Sequence, residues 1–169
     1  SYLEGGANLL ARSDRGEETF AFYKSSNDVI QESPTKQIQG LIDEGIALLT
    51  FFGHSSSNTF DFSINNPADF ANEGKYPVLF ALGCNAGRIT TPNASLSEDF
   101  LFEPGKGSVV FVGTSGVGYL SSLGQFIQEI YKEYGDLSRT LTIGEVLGQA
   151  IRNMAAINSS FGAVSLTQI

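Results

Sequence analysis

The sequence predicts an α/β fold, a three-layer α/β/α sandwich around a mostly parallel sheet. Three observations point there. IALLTFF (46–52), YPVLFALG (76–83) and SVVFVGT (108–114) are short and almost continuously apolar, the pattern of strands covered on both faces. The segments between them carry helix start and stop signals. After the third run, two long stretches repeat apolar residues at helical spacing. In such a sheet, right-handed crossovers bring the carboxyl ends of successive strands to one edge, and ligands bind beyond that edge.

The elements follow in order. FAFYKSS (20–26) is aromatic and alternating, a strand pattern. Ser33-Pro34 starts a helix, with Ser33 as N-cap and Pro34 in the first helical position. Ile38, Leu41 and Ile42 form its apolar stripe, and Gly45 stops it. After IALLTFF, SSSNTFDFSINN is a polar loop with a short extended piece. Asn66-Pro67 begins a short helix ending near Gly74. YPVLFALG is the second buried strand. Ser95 and Glu98 have capping-box spacing and open a helix through Phe100 and Leu101, ended by Glu103-Pro104-Gly105. SVVFVGT is the third buried strand. Leu123, Phe126, Ile127, Ile130, Tyr131 and Tyr134 mark one long helix. Ile143, Val146, Leu147, Ala150, Ile151 and Met154 mark another, behind a Thr142/Glu145 capping box. Both stripes are core-facing.

Composition limits the function classes. At 169 residues the chain can form one domain, residues 1–169, that buries about 70% of its unfolded surface. Apolar content of 41% against 17% charged residues excludes a disordered segment. A net charge of −8 with only ten Lys and Arg argues against a nucleic-acid partner, and none is expected. No apolar run reaches the ~20 residues of a membrane span. One histidine and one cysteine are too few for a metal site or an internal disulfide, so neither a metal nor a cofactor is expected. SYLEGGANLLARSD has no Met and no signal-peptide pattern, and GAVSLTQI resembles a strand cut short. The expectation is an N-terminally truncated piece, with upstream and downstream parts of the same polypeptide missing.

The chemistry centres on the two rarest residues. His54 follows the first apolar run as Gly53-His54, and Cys84 follows the second as Gly83-Cys84. If those strands are neighbours, they lie about 4.8 Å apart, and imidazole and thiol reach one cleft. A cysteine nucleophile acts as thiolate, and a histidine beside it lowers the thiol pKa or moves its proton. Gly53 and Gly83 allow sharp turns and leave room for a substrate backbone. The backbone N–H groups of Ser55 and Cys84 can face a developing oxyanion. Taken singly, Cys84 is a small buried hydrophobe and His54 a surface residue. Their equivalent placement at two strand ends is what points to catalysis.

LLTFFGHSSSNTFDF, NPADFANEGKYPVLFALGCNAGRI and LFEPGKGSVVFVGTSGVGY together resemble the gingipain family of cysteine peptidases, peptidase family C25 of the caspase-like clan. The resemblance covers roughly residues 38–134. It implies a caspase-like α/β/α fold, Cys84 as nucleophile and His54 as the imidazole that protonates the leaving amine. It implies an oxyanion site from backbone N–H groups beside both. It also implies that Thr114, Ser115 and Gly116 line the pocket for the residue before the cleaved bond. Family members are secreted or cell-surface bacterial proteins acting on protein or peptide substrates, and one branch acts like a sortase. One departure stands out. The family pattern has glycine directly after the histidine, and here Ser55 stands there, which restricts the backbone and narrows the approach.

Weaker signals stand beside this. The Gly113–Gly118 run lacks the lysine of a phosphate loop. Asp61 can orient His54, face a basic substrate, or simply be solvated. Ser55 to Ser57 lack a nucleophile-elbow motif. Three functions follow: a Cys84/His54 endopeptidase, a non-catalytic domain keeping the fold within a surface protein, and a sortase-like transpeptidase.

Overall fold

The structure of the chain is a computed structural model, and it describes residues 18–23, 32–61, 64–136 and 138–157. These residues fall into two compact units, one of residues 32–118 and one of residues 18–23 with 119–157. In the first unit the order is α1 (Glu32–Glu44), β1 (Leu48–Phe52), a 3-10 turn (Pro67–Asp69), β2 (Val78–Leu82), α2 (Leu96–Phe102) and β3 (Val110–Gly113). In the second, α3 (Leu120–Gly135) and α4 (Ile143–Ile157) pack together.

All three apolar runs become strands of one parallel sheet in the order β1-β2-β3. The register pairs Leu48 with Val78 and Phe52 with Leu82, then Val78 with Val110 and Ala81 with Gly113. β2 is therefore central, which explains why Leu79, Phe80, Ala81 and Leu82 are all buried. All three chains leave the sheet at the same edge.

Local signals set the helix ends. Ser95 accepts from the Glu98 amide while Glu98 accepts from the Ser95 amide at 2.8 Å, a complete capping box. Thr142 and Glu145 repeat the arrangement at the start of α4. Gly45 stops α1, its N–H donating to Leu41 O at 3.1 Å. Three details differ from the sequence reading. α1 begins at Glu32, so Ser33 lies inside the helix rather than capping it, and Pro34 sits in the first turn, where a missing N–H costs nothing. The helix at Asn66-Pro67 is a single 3-10 turn, because the Phe70 amide closes onto Pro67 O and the chain then extends. The expected strand over 20–26 is absent from residues 20–23, and the rest of it, like GAVSLTQI, lies outside the described residues.

An aromatic cluster fills the first unit. Phe100 of α2 is 1% exposed, with ring centroids 6.1 Å from Phe60, 5.8 Å from Phe70 and 5.9 Å from Phe111. Phe60 in turn stacks on Phe51 of β1 at 4.4 Å. Asn72 is fully buried and satisfied: its side-chain amide brackets Gly107, donating to the carbonyl at 2.8 Å and accepting from the N–H at 3.1 Å.

The Ser95 cap makes a pH prediction. The Ser95 amide, then its hydroxyl, hold Glu98 below its ordinary value of 4.5. A free glutamate takes up its proton at higher pH than the capped one, so the unfolded chain is protonated first as pH falls. The cap's contribution is therefore complete above the ordinary value and lost as pH drops through the folded one. Glu98→Gln keeps a capping side chain but cannot titrate. Its thermal midpoint is expected to fall less steeply than wild type between about pH 5 and pH 3. Parallel slopes would show that the cap carries none of the acid sensitivity.

Candidate active site

The site begins where the strands end. Gly53 N–H donates to Leu82 O at 3.2 Å, the last backbone rung between β1 and β2. His54 and Cys84 follow from register-matched positions, so their loops start side by side. His54 is exposed and Cys84 half-buried.

The His54 loop is a tight hairpin. Ser55 pairs antiparallel with Phe60, Ser56 N–H donates to Thr59 O at 2.9 Å, and Asp61 N–H donates to His54 O at 3.0 Å. Phe60 anchors the hairpin in the aromatic cluster, and Ser57 O accepts from the Leu96 amide at 2.8 Å, tying it to α2. Asp61 thus stands directly across the hairpin from His54, on the same face by antiparallel pairing.

The Cys84 loop is held from both sides. Toward β1, Ser55 Oγ donates to Cys84 O at 2.9 Å. Toward β3, Thr114 Oγ1 donates to Gly83 O, Asn85 N–H donates to Gly116 O at 2.7 Å and Gly87 N–H donates to Thr114 O at 2.9 Å. Asn85 has φ 56°, the left-handed region that asparagine tolerates. Glycine is required at Gly83, where a Cβ would overlap Ser55 Oγ and sit 2.6 Å from Gly53 O. The same holds at Gly87, where a Cβ would lie 2.7 Å from Gly113 O.

The structure therefore gathers Gly53, His54, Ser55, Gly83, Cys84, Thr114 and Gly116 around one end of the sheet. Thr114 is fully buried beneath the Cys84 loop, while the adjacent Ser115 is exposed. Neither the Ser55 nor the Cys84 amide donates a hydrogen bond among the described residues. No group of three or more His, Cys, Asp or Glu among them is placed to hold a metal ion, and no helix there is long and apolar enough to cross a membrane. The sequence reading missed Asn85 and the hydroxyls of Ser55 and Thr114. The only trace of them was the serine standing where the family pattern has glycine.

The model of peptidase family C25 matches residues 10–168. The chain belongs to peptidase family C25. Among solved structures it is similar to the crystal structure of the Arg-specific cysteine proteinase gingipain R (RgpB), with TM-score 0.80 and 17% identity over 99% of this chain. It is also similar to the complex of Porphyromonas gingivalis RgpB pro- and mature domains, with TM-score 0.79 and 17% identity over 99% of this chain. A structure described only as a protease matches 71% of it, with TM-score 0.63 and 11% identity. These likenesses show the fold, the caspase-like α/β fold of gingipain R. The chain spans 39% of the first of those chains, 40% of the second and 31% of the third. No curated protein sequence matches it.

Proposed function

We propose that this C25 chain is a cysteine endopeptidase domain, with Cys84 as nucleophile and His54 as its proton partner. One observation carries the reading: the two loops leave register-paired strand ends and are joined by the Ser55 hydroxyl on Cys84 O. His54 accepts the thiol proton, and the Cys84 sulfur attacks the substrate carbonyl carbon. The carbonyl oxygen becomes an oxyanion facing the Cys84 and Ser55 N–H groups. Imidazolium then returns the proton to the departing amine as the C–N bond breaks, leaving a thioester. Water cleaves the thioester, taking the acyl group as a free carboxylate. Gly53 and Gly83 leave room for the substrate backbone, and Ser115 with Gly116 borders the pocket on the β3 side. Substrates are proteins or peptides met outside the cell or at its surface.

The test is the reactivity of Cys84 in the full chain. Iodoacetamide is expected to alkylate Cys84 at neutral pH faster than free glutathione. His54→Ala should slow that alkylation toward the rate of free glutathione. A Cys84 that resists both iodoacetamide and acyloxymethyl ketones at neutral pH sinks the peptidase reading and leaves a non-catalytic domain. Product analysis separates hydrolysis from transpeptidation: a free carboxylate supports the peptidase, and a new amide to an added amine overturns hydrolysis.

A further inference from the structure

We infer that the hydroxyls of Ser55 and Thr114 are positioning groups for Cys84, clamping the two peptide planes that flank it and leaving its own N–H turned toward the His54 side. The inference rests on the cysteine-peptidase reading above.

The peptide between Gly83 and Cys84 is pinned at its oxygen, because the buried Thr114 hydroxyl donates to Gly83 O. In a trans peptide the carbonyl and the N–H point opposite ways. Thr114 follows β3, so the Cys84 N–H points away from β3, toward the loop that follows β1. The next peptide is held at both ends. Ser55 Oγ takes Cys84 O from the β1 side, and Gly116 O takes the Asn85 N–H from the β3 side.

This alternation continues the one a central strand makes with two parallel neighbours. The backbone rung before it is Gly53 N–H on Leu82 O. Past that point the two side-chain hydroxyls, with Gly116 O on the β3 side, continue it. With both planes held, φ and ψ of Cys84 have little freedom. Its N–H has no acceptor among the described residues. A donor fixed in advance and otherwise unused is what a developing oxyanion needs, since no reorganisation is left to perform at the moment of reaction. Ser55 supplies a hydroxyl that a glycine at this position cannot. The residue that departs from the family pattern is therefore a clamp on the nucleophile loop.

Two probes of Cys84 test this in the full chain. Iodoacetamide needs only the thiolate, whereas a peptidyl acyloxymethyl ketone also presents a carbonyl oxygen to be held. Thr114→Val keeps the shape and removes the hydroxyl. It is expected to slow inactivation by the best ketone of a panel about a hundred-fold, with iodoacetamide alkylation nearly unchanged. Thr114→Ser restores the hydroxyl and most of the ketone rate. Ser55→Ala gives a smaller selective loss, because Gly116 still holds that plane. The double variant loses less than the product of the two, as expected of groups acting on one residue. Ketone and iodoacetamide rates that fall together, or a Thr114→Val variant that loses thermal stability while its ketone rate stays at the wild-type value, overturn the clamp while leaving the peptidase reading intact. A wild-type Cys84 no more reactive than free glutathione toward iodoacetamide overturns the peptidase reading itself, and the clamp with it.

Discussion

Cys84→Ala is expected to abolish peptide-bond cleavage, with a loss on the order of 10⁴- to 10⁶-fold in turnover, and His54→Ala to fall nearly as far. The size follows from the role proposed for each group. Without the thiolate no acyl-enzyme forms, and without the imidazole the amine leaves unprotonated. On that reading the two act as one unit, and the double variant should be no worse than the more damaging single one. Cys84 is half-buried at the end of a strand, so its replacement by alanine removes one sulfur from a loop that four hydrogen bonds already hold. The thermal midpoint should therefore stay close to wild type while activity disappears. The measurement is cleavage of a labelled protein substrate by the complete polypeptide, alongside its unfolding curve. Cleavage by Cys84→Ala at the wild-type rate would remove Cys84 from the mechanism.

The largest expected effect on stability is at Phe100. Its ring is 1% exposed and meets Phe60, Phe70 and Phe111, so truncation leaves a cavity lined by three other rings. Phe100→Ala is expected to cost about 3–5 kcal/mol. Set against the 5–15 kcal/mol that stabilises a typical domain, that is enough to unfold much of the protein near body temperature. Phe102, two residues on in the same helix, is 75% exposed and makes an internal control. Phe102→Ala should change stability by less than about 0.5 kcal/mol. Urea denaturation of both variants decides the matter; equal midpoints would mean the cluster around Phe100 is not the core of its unit. The site shares in the cost, because Phe60 anchors the His54 hairpin in the same cluster.

Much of this architecture is legible in the sequence itself. Strands buried on both faces need no polar side, so IALLTFF, YPVLFALG and SVVFVGT announced themselves as continuous apolar runs. Ser95 with Glu98 and Thr142 with Glu145 marked helix starts, because a capping box closes within four residues and owes nothing to the rest of the fold. Where the signal was weaker than its surroundings, the outcome shifted. Asn66 does cap, accepting from the Ala68 amide at 3.3 Å, but the helix behind it stops after one turn. There the chain is drawn elsewhere, with the Ala71 amide on Asp43 of α1 at 2.6 Å and Asn72 buried against Gly107.

By itself the sequence determined that Gly53-His54 and Gly83-Cys84 each end a buried strand, because apolar runs and glycines are local properties of the chain. Only the tertiary structure decided that those strands are direct neighbours in register, Phe52 beside Leu82. Nothing in a strand's own residues names its partner, since backbone rungs are the same for every sequence. Only the fold, likewise, turned the Ser55 and Thr114 hydroxyls onto the carbonyls around Cys84. Those bonds join residues 29 and 31 positions from their acceptors. They exist because three parallel strands bring their ends to one edge, a long-range arrangement that no short stretch of sequence encodes.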